Sequence, residues 1–193
     1  MTIAPVVVKV GGSLYDLTDL GLRLQRWLEG LREDRVILVP GGGPTVDVLR
    51  DLDRKHRLGE DTSHELALRL LAINARFLAA LLKHGFVVDS LDACSVIWEL
   101  RGIPLLDCHA FLGTESERET NLPHSWDATS DSIAAYVARH ACARRLVLLK
   151  STGDPTHGDW VEAARLGIID PCFARAVGSD LAVEVVNLRR WPG

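Results

Sequence analysis

Lysine is scarce in this chain. Of 22 basic residues only four are lysine, at positions 9, 55, 83 and 150. A bias toward arginine codons accounts for the shortage. The lysines that survive should include sites where a compact ammonium cannot be exchanged for a planar guanidinium. Lys55 and Lys83 fall in polar helical stretches and read as solvated, whereas Lys9 and Lys150 each end an apolar run. Cysteine is sparse as well. Cys94, Cys108, Cys142 and Cys172 form no C-x-x-C pair. That excludes a zinc ribbon or thioredoxin-type motif and fits reduced thiols in the cytosol. No 18-residue stretch is free of charge, so no apolar membrane helix is expected. No basic segment precedes the first apolar run, so no signal peptide is expected either. Repeats with a period of 20 to 50 residues are missing. Both G-x-x-x-x-G-K-[ST] and G-x-G-x-x-G are absent, which excludes a Walker A loop and disfavours a dinucleotide fold. The net charge of −4 argues against nucleic acid as the main partner.

What is present is apolar and regular. The 193 residues are 47% hydrophobic and 25% charged, enough for one domain over 1–193 with a core that needs no disulfides. Strands are expected at 5–10, 35–40, 86–88, 103–108, 145–149 and 181–188. Helices are expected at 17–31, 44–56, 64–84, 90–101, 131–143, 161–166 and 171–177. Thr62 or Ser63 should cap the third helix, and Thr129 or Ser130 the helix at 131. Residues 109–124 read as mostly loop. The strands are continuous apolar runs alternating with helices, which predicts a parallel sheet covered on both faces. The fold class is therefore α/β, a three-layer αβα sandwich with a mostly parallel central sheet. Ligands in such sheets sit at the carboxyl ends of the strands.

Three turns follow strands directly: Gly11-Gly12-Ser13, Gly41-Gly42-Gly43 and Lys150 to Asp154. A glycine turn after a strand leaves peptide N–H groups bare, and several in a row form an anion nest. Each alone can be a tight strand–helix turn. Two of them with a lysine before the first point to phosphoryl transfer, where the protein supplies positioning and positive charge. One nest would hold the terminal phosphates of ATP and the other the acceptor. Lys9 and Lys150 would supply charge from two sides. Asp131, at a predicted helix N-terminus, would hold a lysine or a magnesium ion.

The segments VVVKVGGS at 6–13, VPGGGP at 39–44 and TSDSIAA at 129–135 resemble the amino-acid kinase superfamily, which includes acetylglutamate, uridylate, isopentenyl phosphate and carbamate kinases. HSWDATSDSIAAYVA at 124–138, LVLLKS at 146–151 and GIIDPCF at 167–173 look closer to one branch, the (aminomethyl)furanylmethyl phosphate kinases of methanofuran biosynthesis. The resemblance implies a fold of this class, usually dimeric, using ATP and magnesium. It implies that Lys9 bridges the transferred group and that Gly11, Gly12 and Ser13 hold ATP phosphates. Gly41, Gly42 and Gly43 would line the acceptor side. Asp131 would organise the lysines, with Thr129, Ser130 and Ser132 donating nearby. Lys150, Ser151, Gly153 and Asp154 would face the nucleotide. Two departures stand out. The G-G-M-x-x-K segment that gives many relatives a second catalytic lysine is missing, leaving Lys150 as its substitute. The common T-D-V-D-G nucleotide loop is replaced by Lys150-Ser151-Thr152-Gly153-Asp154.

Other residues have two readings. His124 and Trp126 can contact an acceptor ring or phosphate or anchor a loop, and Asp127 can bind magnesium or an acceptor amine or simply start a helix. His64 can face an acceptor or solvent. His157 and Asp159 read as turn residues rather than a metal pair. The apolar stripe from Leu66 to Leu82 is core or dimer interface. The leading expectation is an ATP-dependent kinase for a phosphate or carboxylate acceptor, favouring a furan-methyl phosphate, as a cytoplasmic homodimer. A non-catalytic nucleotide-binding or storage protein and a nucleoside monophosphate kinase are the alternatives.

Overall fold

The computed structural model describes residues 3–192 apart from 32, 34, 116–122 and 124. The strands are β1 (Val6–Val10), β2 (Val36–Pro40), β3 (Gly85–Val88), β4 (Ile103–Leu106), β5 (Arg145–Lys150) and β6 (Ala182–Asn187). The helices are α1 (Leu20–Leu31), α2 (Gly43–His56), α3 (Glu60–Leu81), α4 (Leu91–Glu99), α5 (Cys108–Glu115), α6 (Ser130–His140), α7 (Trp160–Arg165) and α8 (Phe173–Val177). All strand pairs are parallel, in the order β3-β4-β2-β1-β5-β6. This is the αβα architecture that the unbroken apolar strands predict. The first strand in sequence, β1, lies inside the sheet, with β2 on one side and β5 on the other. The chain thus reverses its direction of travel across the sheet at β1, and that is where a crevice opens at the carboxyl edge.

Strand periodicity sorts the side chains into two cores. Val6, Val8 and Val10 pack with Leu20, Leu24, Trp27 and Leu78 beneath α1 and α3. Val7, Ile37, Val39, Leu146 and Leu148 pack with Ile133, Val137 and Phe173 beneath α6 and α8. Each fully buried aliphatic side chain contributes roughly 1.5–3 kcal/mol. Lys9 falls on the α6 face by the same alternation as Val7. It is paired in register with Leu148 of β5, so Lys150, two residues further along, emerges on the same face one step nearer the edge.

Three local expectations are corrected. Within the stretch 109–124, residues 109–115 are helix rather than loop, and 116–122 and 124 lie outside the described residues: α5 starts at Cys108, the Asp107 carboxylate accepts from the Ala110 N–H at 3.1 Å, and the helix buries Phe111 and Leu112 against the core. The cap of α3 is neither Thr62 nor Ser63. The helix begins earlier, after Gly59 in a positive-φ turn (φ 87°), and Glu60 and Asp61 favour its first turn. Thr129 does take the cap position of α6, but its hydroxyl accepts nothing from the helix. It donates to Asp170 at 2.8 Å.

Candidate active site

The loops after β1 and β2 lie against each other. A Cβ placed on Gly12 would lie 2.1 Å from the Gly43 nitrogen, and one on Gly41 would lie 2.4 Å from the Gly12 nitrogen. Gly43 itself has φ +60°, a conformation L side chains rarely adopt. Both glycine turns therefore need glycine because the two backbones touch. The Asn74 amide, buried on α3, locks this contact by donating to the carbonyls of Gly41 (2.8 Å) and Gly42 (2.7 Å). The Tyr15 hydroxyl donates to the Gly41 carbonyl from the other side, also at 2.8 Å, and burial pushes its pKa upward so that it stays a donor. With the carbonyls turned away into these donors, Gly12, Gly42 and Gly43 face a cleft of about 420 Å³.

Asp131 lies beneath that cleft. Its carboxylate holds the Lys9 ammonium at 2.8 Å through one oxygen and the Lys150 ammonium at 2.6 Å through the other. Lys150 also donates to the Ile168 carbonyl at 2.5 Å. Burial alone would raise the Asp131 pKa, but the Lys9 and then the Lys150 charge outweigh it and hold the carboxyl below its ordinary range. Burial, and next the Lys9 charge, lower the Lys150 pKa, while Asp131 opposes them. Two ammonium groups against one carboxylate leave a net charge of +1 at the cleft floor.

The other candidates are placed as follows. Gly11, Gly12, Ser13, Gly42, Gly43, Trp126, Thr129, Ser130 and His64 line the cleft with Lys9 and Lys150. Ser151 sits 3.0 Å from the Ser13 hydroxyl, bridging the β1 and β5 loops. Gly41 is buried behind the lining. Gly153 is exposed, and Asp154 turns into its own loop, accepting from Thr156 and Gly158. Asp127 is exposed outside the lining, and His124 lies outside the described residues. Asp159 caps α7 through the Glu162 N–H at 3.0 Å, as a turn residue would. Sequence reasoning missed Asn74, Tyr15, Asp170, Asp16, Asp47 and Arg50. The Arg50 guanidinium lies 5.0 Å from the Trp126 ring centre at the cleft wall, and the Trp126 indole donates to Asp53 at 2.9 Å.

Residues 4–153 match the model of the amino acid kinase family. The chain belongs to that family. Among curated proteins it is similar to a 5-(aminomethyl)furan-3-yl methyl phosphate kinase of Methanocaldococcus jannaschii, 27% identical over 146 residues. That match covers 74% of this chain and 63% of the relative, so it spans less than two thirds of the relative's length. Among solved structures the chain resembles the uridylate kinase of Archaeoglobus fulgidus (TM-score 0.67, 16% identity, 94% of this chain and 90% of that one). It resembles the UMP kinase of Ureaplasma parvum to the same degree (TM-score 0.67, 15% identity, 96% and 90%). At such identities the likeness establishes the fold.

Magnesium does not find a cage of protein ligands here. No group of three or more His, Cys, Asp or Glu side chains among the described residues is arranged to hold a metal. The Asp131 carboxylate is taken by two lysines, and Asp16 and Asp47 each pair with an arginine. Magnesium usually keeps several waters and binds through substrate phosphates.

Proposed function

We propose that this amino acid kinase transfers the γ-phosphoryl group of magnesium-bound ATP to a phosphate monoester, with Gly11, Gly12 and Ser13 at the nucleotide phosphates and Gly42 and Gly43 at the acceptor. The observation that carries the reading is the pair of ammonium groups, Lys9 and Lys150, on one buried carboxylate beneath two touching glycine turns. An acceptor phosphate oxygen attacks the γ-phosphorus, the bond to the β–γ bridging oxygen breaks, and ADP leaves. The attacking oxygen is already an anion, so no general base is required. Catalysis then rests on alignment and on positive charge around the transferring group.

The favoured acceptor is an (aminomethyl)furanylmethyl phosphate, supported by the Methanocaldococcus relative. A small flat ring suits a cleft walled by Val46, Leu68, Leu71 and the Trp126 ring. A nucleoside monophosphate is the second reading, supported by the uridylate kinase fold. We further place the protein in the cytosol as a homodimer. The exposed apolar stripe of Leu66, Ile73, Phe77 and Leu81 on α3 supports the dimer, and analytical ultracentrifugation reads it.

Lys9→Ala is the test. Turnover should fall about 10²- to 10³-fold, the scale of losing one charge-stabilising group, with a much smaller change in ATP affinity. Turnover near wild type would remove Lys9 from the chemistry. An acceptor panel of furan-methyl phosphate, UMP and CMP separates the two acceptor readings. Tight ATP binding by calorimetry with no ADP released over hours, whatever the acceptor, would instead indicate a nucleotide-binding or storage protein.

A further inference from the structure

The segment between α7 and α8 touches Lys150 directly and also the first turn of α6, which carries Asp131. The Ile168 carbonyl accepts from the Lys150 ammonium at 2.5 Å. Two residues on, the Asp170 side chain is buried under the start of α6. One of its oxygens accepts from the Thr129 N–H (3.0 Å), the Thr129 hydroxyl (2.8 Å) and the Ser132 N–H (3.0 Å). The other accepts from the Ser132 hydroxyl and from the Cys172 N–H, the latter at 3.1 Å.

A helix N-terminus offers bare N–H groups and partial positive charge, and is a ready anion seat. In this chain Asp170 fills that seat from within. A substrate phosphate is thereby left to the glycine turns and the lysines. Asp131 is the second residue of α6, so the orientation of its carboxylate depends on how the first turn is held. Without Asp170, the Thr129 and Ser132 N–H groups would lose the acceptor they share. The turn would relax toward some other acceptor.

We propose that Asp170 is a positioning residue for phosphoryl transfer: by clamping the first turn of α6 it sets Asp131 between Lys9 and Lys150, while Ile168 in the same segment fixes the Lys150 ammonium. Lys150 thereby serves from the end of β5. The proposal deepens the kinase reading, and its kinetic consequence rests on that reading. Its structural consequence does not. The charged groups around the Lys150 ammonium are Lys9 from β1, Asp131 from α6 and Asp170 itself, and the Asp170 charge favours the protonated form of Lys150.

The experiment uses Asp170→Asn, which keeps the shape and removes the charge. With only four lysines in the chain, labelled lysine side chains can be followed by NMR through a pH titration and the Lys150 signal assigned with Lys150→Arg. Asp170→Asn should move the Lys150 midpoint to lower pH. With both substrates saturating, kcat should fall about 10- to 100-fold at nearly unchanged KM for ATP, as expected when a reacting group is slightly misplaced. An unchanged Lys150 midpoint with unchanged kcat overturns the proposal, as does a rise in KM alone. If the wild-type protein transfers phosphate to no acceptor, the kinase reading fails, while hydrogen exchange at the Thr129 and Ser132 amides still decides the role of Asp170: Asp170→Asn should speed it, and wild-type exchange would overturn the clamp. Should Asp170→Asn not fold, Ser132→Ala removes one donor to the same carboxylate at a fully buried position outside the cleft. It should lower kcat severalfold with KM unchanged, and wild-type kcat would overturn the clamp.

Discussion

Asp131 carries two ammonium groups on one carboxylate, in a place where water cannot share the load. Replacing it by Asn would take from the buried Lys9 and Lys150 the carboxylate they share, with only the Asp170 charge remaining near Lys150. Breaking a buried ion pair from one side costs about 3–5 kcal/mol, so Asp131→Asn should lose that much in urea denaturation as well as its activity. A loss below about 1 kcal/mol would mean that the lysines do not depend on it. The pH dependence follows from the same three groups. The Asp131 pKa is depressed, chiefly against burial by Lys9 and then Lys150. Its contribution to stability is therefore present above the ordinary carboxyl value and is lost as pH falls through the depressed one. The Lys150 pKa is also depressed, by burial first and by Lys9 next. Between that lowered value and the ordinary 10.5, the unfolded chain binds the proton and the folded one does not, so this group makes stability rise with pH. On the proposed kinase reading activity behaves oppositely, because a neutral Lys150 would no longer stabilise the transferring phosphate. Turnover should fall on the alkaline side at a pH below 10.5, without a matching fall in melting temperature from this group.

Between elements, the cleft is held open by one amide. Asn74 sits mid-way along α3 among Leu71, Ala75 and Leu78, and only 2% of it is exposed. Its bonds to the Gly41 and Gly42 carbonyls tie α3 to the loop after β2 across more than thirty residues of chain. Asn74→Ala would leave the Gly41 carbonyl to Tyr15 and the Gly42 carbonyl to Thr45, losing two hydrogen bonds at roughly 0.5–1.5 kcal/mol each. It should lower stability by about 1–3 kcal/mol on that count and raise KM for the acceptor more than KM for ATP, because the second glycine turn is the one released. Asn74→Asp should be worse, since it sets a carboxylate against two carbonyl oxygens. Equal KM changes for both substrates would place the amide's influence elsewhere. Such residues were not legible beforehand. Asn74 interrupts an apolar helix without announcing a partner, and Asp170 reaches Ser132 over 38 residues. By contrast Lys9 and Lys150 stood out, because lysine at the end of a buried strand contradicts the residues before it. The cap of α3 was misread because Gly59 and the acidic first turn outcompete the hydroxyls that follow. The helix α5 went unseen because its short, Gly113-containing sequence has almost no apolar periodicity, and the Asp107 cap and the buried Phe111 hold it instead.

For the molecule as a whole, the sheet order was not legible even though its parallel character was. Unbroken apolar strands say that both faces are covered, but they do not say which neighbours pair. The placement of β1 between β2 and β5 is what brings three separate turns to one crevice. That placement carries a thermodynamic consequence. If the turns after β1 and β2 are two subsites on one folded state, each ligand stabilises that state by mass action, and the two effects add. A ligand at 100 times its Kd contributes about 2.7 kcal/mol. For a chain of this size each kcal/mol moves Tm by roughly 2–4 °C. A non-hydrolysable ATP analogue with magnesium should therefore raise Tm by roughly 5–10 °C at that excess. The acceptor phosphate should raise it by a similar amount alone, and both together by close to the sum. Gly12→Ala should reduce both shifts at once, because its Cβ would meet the Gly43 backbone and drive the two turns apart. If the analogue and the acceptor instead displace each other, a single anion seat is present, and the touching turns form one cradle rather than two.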